Sequence, residues 1–104
     1  MLKINFEFRK GILFLRLIGN MTKENYKPKE TEIKELLIDN EFKYIVINTN
    51  YINEVDLDGL NYLLEIYCFT KSNNSNVIIC DKFSIIKRLL GQNIPNIKDE
   101  IEVL

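Results

Sequence analysis

Near the start of the chain, Ile4, Phe6 and Phe8 alternate with Asn5, Glu7 and Arg9. This is the period-two pattern of a strand with one wet face. Lys10-Gly11 is a turn signal, and Ile12 to Ile18 forms a second strand pattern. Together they predict an antiparallel hairpin that ends at Gly19-Asn20. Asn20 to Lys29 is polar and reads as a loop. Pro28 suits the first turn of a helix, where its missing N–H costs nothing. Ile33, Leu36 and Leu37 then share a face, with Glu30, Glu32, Lys34 and Glu35 outside, so a helix is predicted near residues 28–40. Tyr44-Ile45-Val46-Ile47-Asn48 is the apolar run expected of a strand covered on both faces. Asn50 to Val55 reads as a connection. Asp56 or Leu57 opens a helix reaching residue 71, with Leu57, Leu60, Leu63, Leu64, Tyr67 and Cys68 as its buried stripe. Ser72 to Asn76 is a polar loop, and Val77 to Cys80 a third apolar strand. Asp81 is placed to cap a last helix near residues 82–91, in which Phe83, Ile86, Leu89 and Leu90 follow helical spacing. Gly91 is its expected left-handed stop. Residues 94–104 carry no decisive period; one further short strand around Glu100 to Leu104 is one reading.

The order hairpin, helix, strand, helix, strand, helix predicts an α/β domain. Its sheet is expected to be mixed and largely parallel, with four or five strands, an N-terminal β-hairpin and flanking helices. The strands at 44–48 and 77–80 are expected to be parallel neighbours. The 104 residues fit a single domain, 1–104, with no visible repeat or linker. In such sheets functional groups gather where strand ends meet helix starts, which directs attention to Asn48 through Leu60.

Charge narrows the function classes. Lys plus Arg total 14 and Asp plus Glu 15, without the clustered basic excess that phosphate neutralisation needs, so no nucleic-acid partner is expected. Lys82, Lys87 and Arg88 read as a solvated helix face. Cys68 and Cys80 lack metal spacing and there is no His, so no metal or other cofactor is expected. Both cysteines read as small buried hydrophobes in a reducing compartment. Met1 runs straight into a strand pattern, with no signal peptide visible. The stretch Ile12 to Ile18 is interrupted by Arg16 and too short to span a bilayer. A cytoplasmic protein that is not integral to a membrane is the expectation.

Chemistry concentrates in Val55-Asp56-Leu57-Asp58-Gly59-Leu60. Two carboxylates stand two residues apart at a helix start. On charge alone, Asp56 caps the helix and Asp58 sits in its first turn, each gaining about 0.3–1 kcal/mol from the free N–H groups and dipole there. The Asp-x-Asp-Gly string also resembles the nucleophile loop of haloacid-dehalogenase-type phosphatases. That likeness would imply a small phosphatase or phospho-acceptor using Asp56 or Asp58 with Mg²⁺. The preceding Tyr51-Ile52-Asn53-Glu54-Val55, the Leu60 after Gly59 and the short chain all depart from that pattern.

A broader likeness spans residues 4–91. Phe8, Gly11, Leu13, Leu15, Leu17 and Gly19 follow one hairpin pattern. The buried strand Tyr44 to Asn48, an eight-residue step to Asp56-x-x-Gly59-Leu60, the strand ending at Cys80, and Ile86-Lys87-Arg88-Leu89-Leu90 follow in order. In this the chain resembles the STAS domains, the anti-sigma factor antagonist family, whose signature loop reads Asp-Ser-Ser-Gly-Leu. The resemblance implies a non-catalytic regulatory module that binds a protein. Its partner would be an anti-sigma factor that is also a kinase, another STAS-type domain, or a transporter assembly. Asn20, Met21, Thr22, Asp56, Leu57, Asp58 and Gly59 would form the partner-binding surface. The family's phosphorylated Ser is matched by Asp58, its first Ser by Leu57, and an acidic residue common after the hairpin by Thr22. Asp58 then acts as a fixed anion resembling the modified state, as an acid its partner accepts, or as the remnant of a lost switch. The C-terminal helix of many members is shortened or lost after Gly91.

Overall fold

The computed structural model describes residues 1–82, 84–91 and 94–104. Phe83 and the Leu90 side chain, both assigned above to the last helix, lie outside that description. The elements run β1 (Leu2–Arg9), β2 (Ile12–Met21), α1 (Lys23–Tyr26), a 3₁₀ turn (Lys27–Lys29), α2 (Glu30–Asp39), β3 (Tyr44–Val55), α3 (Leu57–Ser72), β4 (Asn76–Cys80), α4 (Ile85–Leu90), β5 (Asn96–Ile97) and a second 3₁₀ turn (Glu100–Val103). The five strands lie side by side in chain order. β1 and β2 form the antiparallel hairpin, while β2, β3, β4 and β5 are mutually parallel. This is the expected mixed, largely parallel sheet, with β3 at its centre.

Side-chain alternation divides the sheet into two faces. Leu13, Leu15, Leu17, Ile45, Ile47, Val77 and Ile79 meet Ile33, Leu37, Leu63, Ile66, Tyr67 and Ile86 from the helices in the main core. On the other face a smaller cluster of Phe14, Val46 and Cys80 is joined by Ile97 and Val103 from the C-terminal segment. That segment is pinned by charge. The Glu100 carboxylate accepts from Arg16 Nε at 2.8 Å and a second guanidinium nitrogen at 2.6 Å, and from Asn48 Nδ2 at 2.6 Å. Arg16 also donates to Asn5 at 2.9 Å and Glu7 at 2.8 Å. Such paired, charge-assisted bonds are the strong kind, and the Arg16 bonds hold the Glu100 carboxyl below its ordinary pKa.

Several boundaries correct the expectations. Asn20 to Lys29 is not a loop. β2 continues through Met21, and a helical turn follows because Tyr26 is buried and stacks on Tyr62, centroids 4.4 Å apart. Asn50 to Val55 is not a connection but the second half of β3, paired with β2 alone as far as Met21↔Val55. β4 stops at Asn48↔Cys80, so this half has one neighbour and needs no apolar run. On α3 the buried positions are Gly59, Tyr62, Leu63, Ile66, Tyr67 and Thr70. Leu57 is 72% exposed and Cys68 is exposed, so the stripe is rotated away from the predicted one. Cys80 is buried as expected.

Asp81 does serve the last helix, but from a distance. Its buried carboxylate accepts from the Ile86 N–H at 2.7 Å and the Lys87 N–H at 3.3 Å, because the helix begins only after Ser84, whose φ is +54°. Leu89 is exposed. Gly91 stops the helix with φ +64°. The last strand is Asn96–Ile97, and Glu100–Val103 is a 3₁₀ turn with an Asp99/Glu102 capping box, not the strand expected there.

Candidate functional site

The site forms where the parallel strands β2 and β3 end together, at the pair Met21↔Val55. Each strand turns directly into a helix: Thr22 precedes α1 and Asp56 precedes α3. Asp56 serves both starts. Its Oδ1 accepts from the Gly59 N–H at 2.7 Å and its Oδ2 from the Lys23 N–H at 3.1 Å. Its own N–H points to the Met21 carbonyl at 3.4 Å. These bonds, that from Gly59 foremost, hold the Asp56 carboxyl below its ordinary value of 3.8. The capping role expected of Asp56 is present, and it extends to a second helix.

Gly59 lies against the same carbonyl. A Cβ here would sit inside contact distance of the Met21 carbonyl oxygen, 2.7 Å from the carbonyl carbon and 3.1 Å from Met21 Cγ. Met21 and Gly59 are therefore buried supports that fix how closely α3 approaches the end of β2. Around them lies an open hollow lined by Asn20, Thr22, Lys23, Glu24, Asn25, Lys27, Glu54, Asp56 and Asp58. The Thr22 hydroxyl accepts from Asn25 Nδ2 at 2.6 Å. Leu57 and Asp58 occupy the exposed first turn of α3.

Of the seven residues singled out in the sequence, Asn20, Thr22, Asp56 and Asp58 line this one hollow. Met21 and Gly59 lie beneath it and Leu57 points to solvent. Lys23, Glu24, Asn25, Lys27 and Glu54 were not anticipated, because the segments carrying them read as loops. Thr22 followed by Glu24 was the available signal, an N-cap residue with an acid in the first turn. An aspartate nucleophile meets an obstacle at Asp56, both of whose oxygens accept backbone N–H groups. Among the described residues no group of three or more His, Cys, Asp or Glu side chains is placed to hold a metal ion, and no helix is long and apolar enough to cross a membrane.

Comparison with known proteins agrees with this architecture. The family model described as the STAS domain matches residues 3–94. Among solved structures, the anti-sigma factor antagonist SpoIIAA in its unphosphorylated form superposes with a TM-score of 0.75 at 11% identity, covering 99% of this chain and 93% of that one. An anti-sigma factor antagonist from Mycobacterium paratuberculosis gives 0.76 at 15% identity, over 98% and 90% of the two chains. The Bacillus cell fate determinant SpoIIAA in the phosphorylated form gives 0.71 at 12% identity, over 99% and 96%. Identities this low speak for the fold.

Proposed function

The chain belongs to the STAS domain family, and on that premise we propose that it is a non-catalytic, cytoplasmic regulatory module. It binds a protein through the hollow and the first turn of α3. The observation that supports this reading best is the division of labour within Asp56-Leu57-Asp58-Gly59. Asp56 and Gly59 are consumed by the architecture. Leu57 and Asp58 stand out from it into solvent. An apolar side chain beside a fixed anion suits a protein surface, where burial supplies affinity and charge supplies selectivity.

In this reading Asp58 takes the place of the family's phosphorylated serine. A serine there alternates between a neutral hydroxyl and a phosphate of about −1.5 to −2 charge. An aspartate holds roughly one negative charge at neutral pH and offers no hydroxyl to a kinase. The partner is an anti-sigma factor of the kinase type or another STAS-type domain, in a bacterial transcription-regulating circuit.

The test is a capture from the native cytoplasm, followed by titration of the captured protein with wild type, Asp58→Ser and Asp58→Ala. Loss of the Asp58 charge at the helix start changes stability by about 0.3–1 kcal/mol. A mismatched charge in a contact can cost several kcal/mol. Affinity is therefore expected to change more than the melting temperature, and with ATP a kinase partner is expected to phosphorylate Asp58→Ser but not wild type. Equal affinities for all three proteins would remove Asp58 from the contact. A wild-type chain that forms a phosphoaspartate with acetyl phosphate and Mg²⁺ would favour the phospho-acceptor reading.

A further inference from the structure

The two edges of the sheet differ sharply. One is closed by β5, a strand of two residues. The other is β1, eight residues paired to β2 in unbroken register from Leu2↔Gly19 to Arg9↔Ile12. An edge strand exposes a row of backbone donors and acceptors, and proteins guard such edges with short strands, proline, bulges or repelling charges. β1 has no proline and no bulge. Its charges decide whether the edge repels a second copy of itself.

We propose that β1 is a self-pairing edge along which two copies of this chain join antiparallel, about a two-fold axis at Asn5, into one continuous sheet. In an antiparallel pair, residues directly opposite share a face. Centred on Asn5, the pairing sets Lys3 opposite Glu7 of the second copy, twice over by symmetry. On the helix-bearing face it sets Ile4 opposite Phe6 and Leu2 opposite Phe8. Ile4 and Phe6 are only partly buried in the single chain and Phe8 is 63% exposed, so apolar surface remains for a neighbour to cover. Face-preserving shifts are worse. One places Lys3 opposite Arg9, like against like. The other leaves Phe8 and Arg9 beyond the overlap and sets Lys3 opposite Asn5. Glu7 also accepts from Arg16 through one oxygen at 2.8 Å, and a carboxylate has a second oxygen for the lysine across the axis.

Sedimentation equilibrium of the whole chain, with melting curves alongside, tests the proposal through exchanged charges. Wild type is expected to dimerise reversibly. Lys3→Glu alone sets acid against acid, and Glu7→Lys alone sets base against base, so each is expected to weaken self-association by about tenfold or more. Mixed in equal amounts, the two variants pair opposite charges at both contacts and are expected to regain wild-type association. Damage to the fold, including the lost Glu7–Arg16 bond, cannot produce that rescue. A wild-type chain that stays monomeric at about 0.5 mM overturns the proposal. So does a dimer that neither variant weakens, or one that mixing fails to restore.

Discussion

Gly59→Ala is the substitution whose cost is most directly set by the structure. The new Cβ would fall 2.7 Å from the Met21 carbonyl carbon and closer still to its oxygen. The obstacle is backbone held in the β2–β3 ladder, so it cannot swing aside as a side-chain tip can. α3 must lift from the end of β2, straining the Asp56 bonds to the Gly59 and Lys23 N–H groups. Alanine gains about 1 kcal/mol over glycine in helix propensity. Overpacking costs about 1–3 kcal/mol, and a lost cap about 1 kcal/mol. The net is a loss of about 2 kcal/mol, which in a domain of this size lowers the melting temperature by about 8–16 °C. Urea denaturation of wild type and variant measures it. Gly91→Ala is the control, since nothing lies within 4 Å of the added Cβ and only the φ of +64° is unfavourable; it is expected to cost about 1 kcal/mol. A Gly59→Ala protein as stable as wild type would refute the close approach.

Three further outcomes are expected. The folded-state carboxyls of Asp56 and Glu100 lie below their ordinary values, so the stability they contribute is present above about pH 4–5 and lost as pH falls through the folded values; urea midpoints across pH should show this acid limb, flattened in Asp56→Asn. Glu100→Ala removes the carboxylate that ties the C-terminal turn to Arg16 and Asn48; it should cost about 1–3 kcal/mol by the same denaturation assay and speed amide exchange in residues 96–104. A maleimide should label exposed Cys68 quickly in the native protein and Cys80 only after unfolding, since burial removes access and pushes the Cys80 thiol up to about 11.

The sequence made legible those elements that bury one continuous face. The hairpin, α2, the first half of β3, and β4 all carry apolar residues at the period of their structure. It hid elements whose reason for forming lies elsewhere in the chain. The second half of β3, Asn50 to Val55, is a strand because β2 runs beside it; Asn50, Tyr51, Asn53 and Glu54 are exposed and only Ile52 and Val55 pack against the core, too few to announce a buried strand. α1 is too short for a period, and its existence rests on one tyrosine stacked against α3. On α3 the leucines are numerous enough to suggest a stripe containing Leu57 and Cys68. The backbone contact at Gly59 and the aromatic contact at Tyr62 set the true rotation of the helix. The C-terminal turn follows from an Arg16 pairing across 84 residues that no local pattern announces.

The same separation explains why the candidate site was partly readable. Asp56 and Gly59 could be picked out because each satisfies a local rule, a carboxylate at a helix cap and a glycine where a helix interior would ordinarily disfavour one. The structure gives both rules one physical origin: the carbonyl of Met21, toward which the Asp56 N–H points and against which Gly59 rests. The two positions between them are under no such constraint. Leu57 and Asp58 are exposed, so the architecture would accept serine, aspartate or other residues there with small changes in stability. In the proposed reading, what occupies those positions is set by the partner that touches them, whereas Asp56 and Gly59 beneath answer to the fold alone.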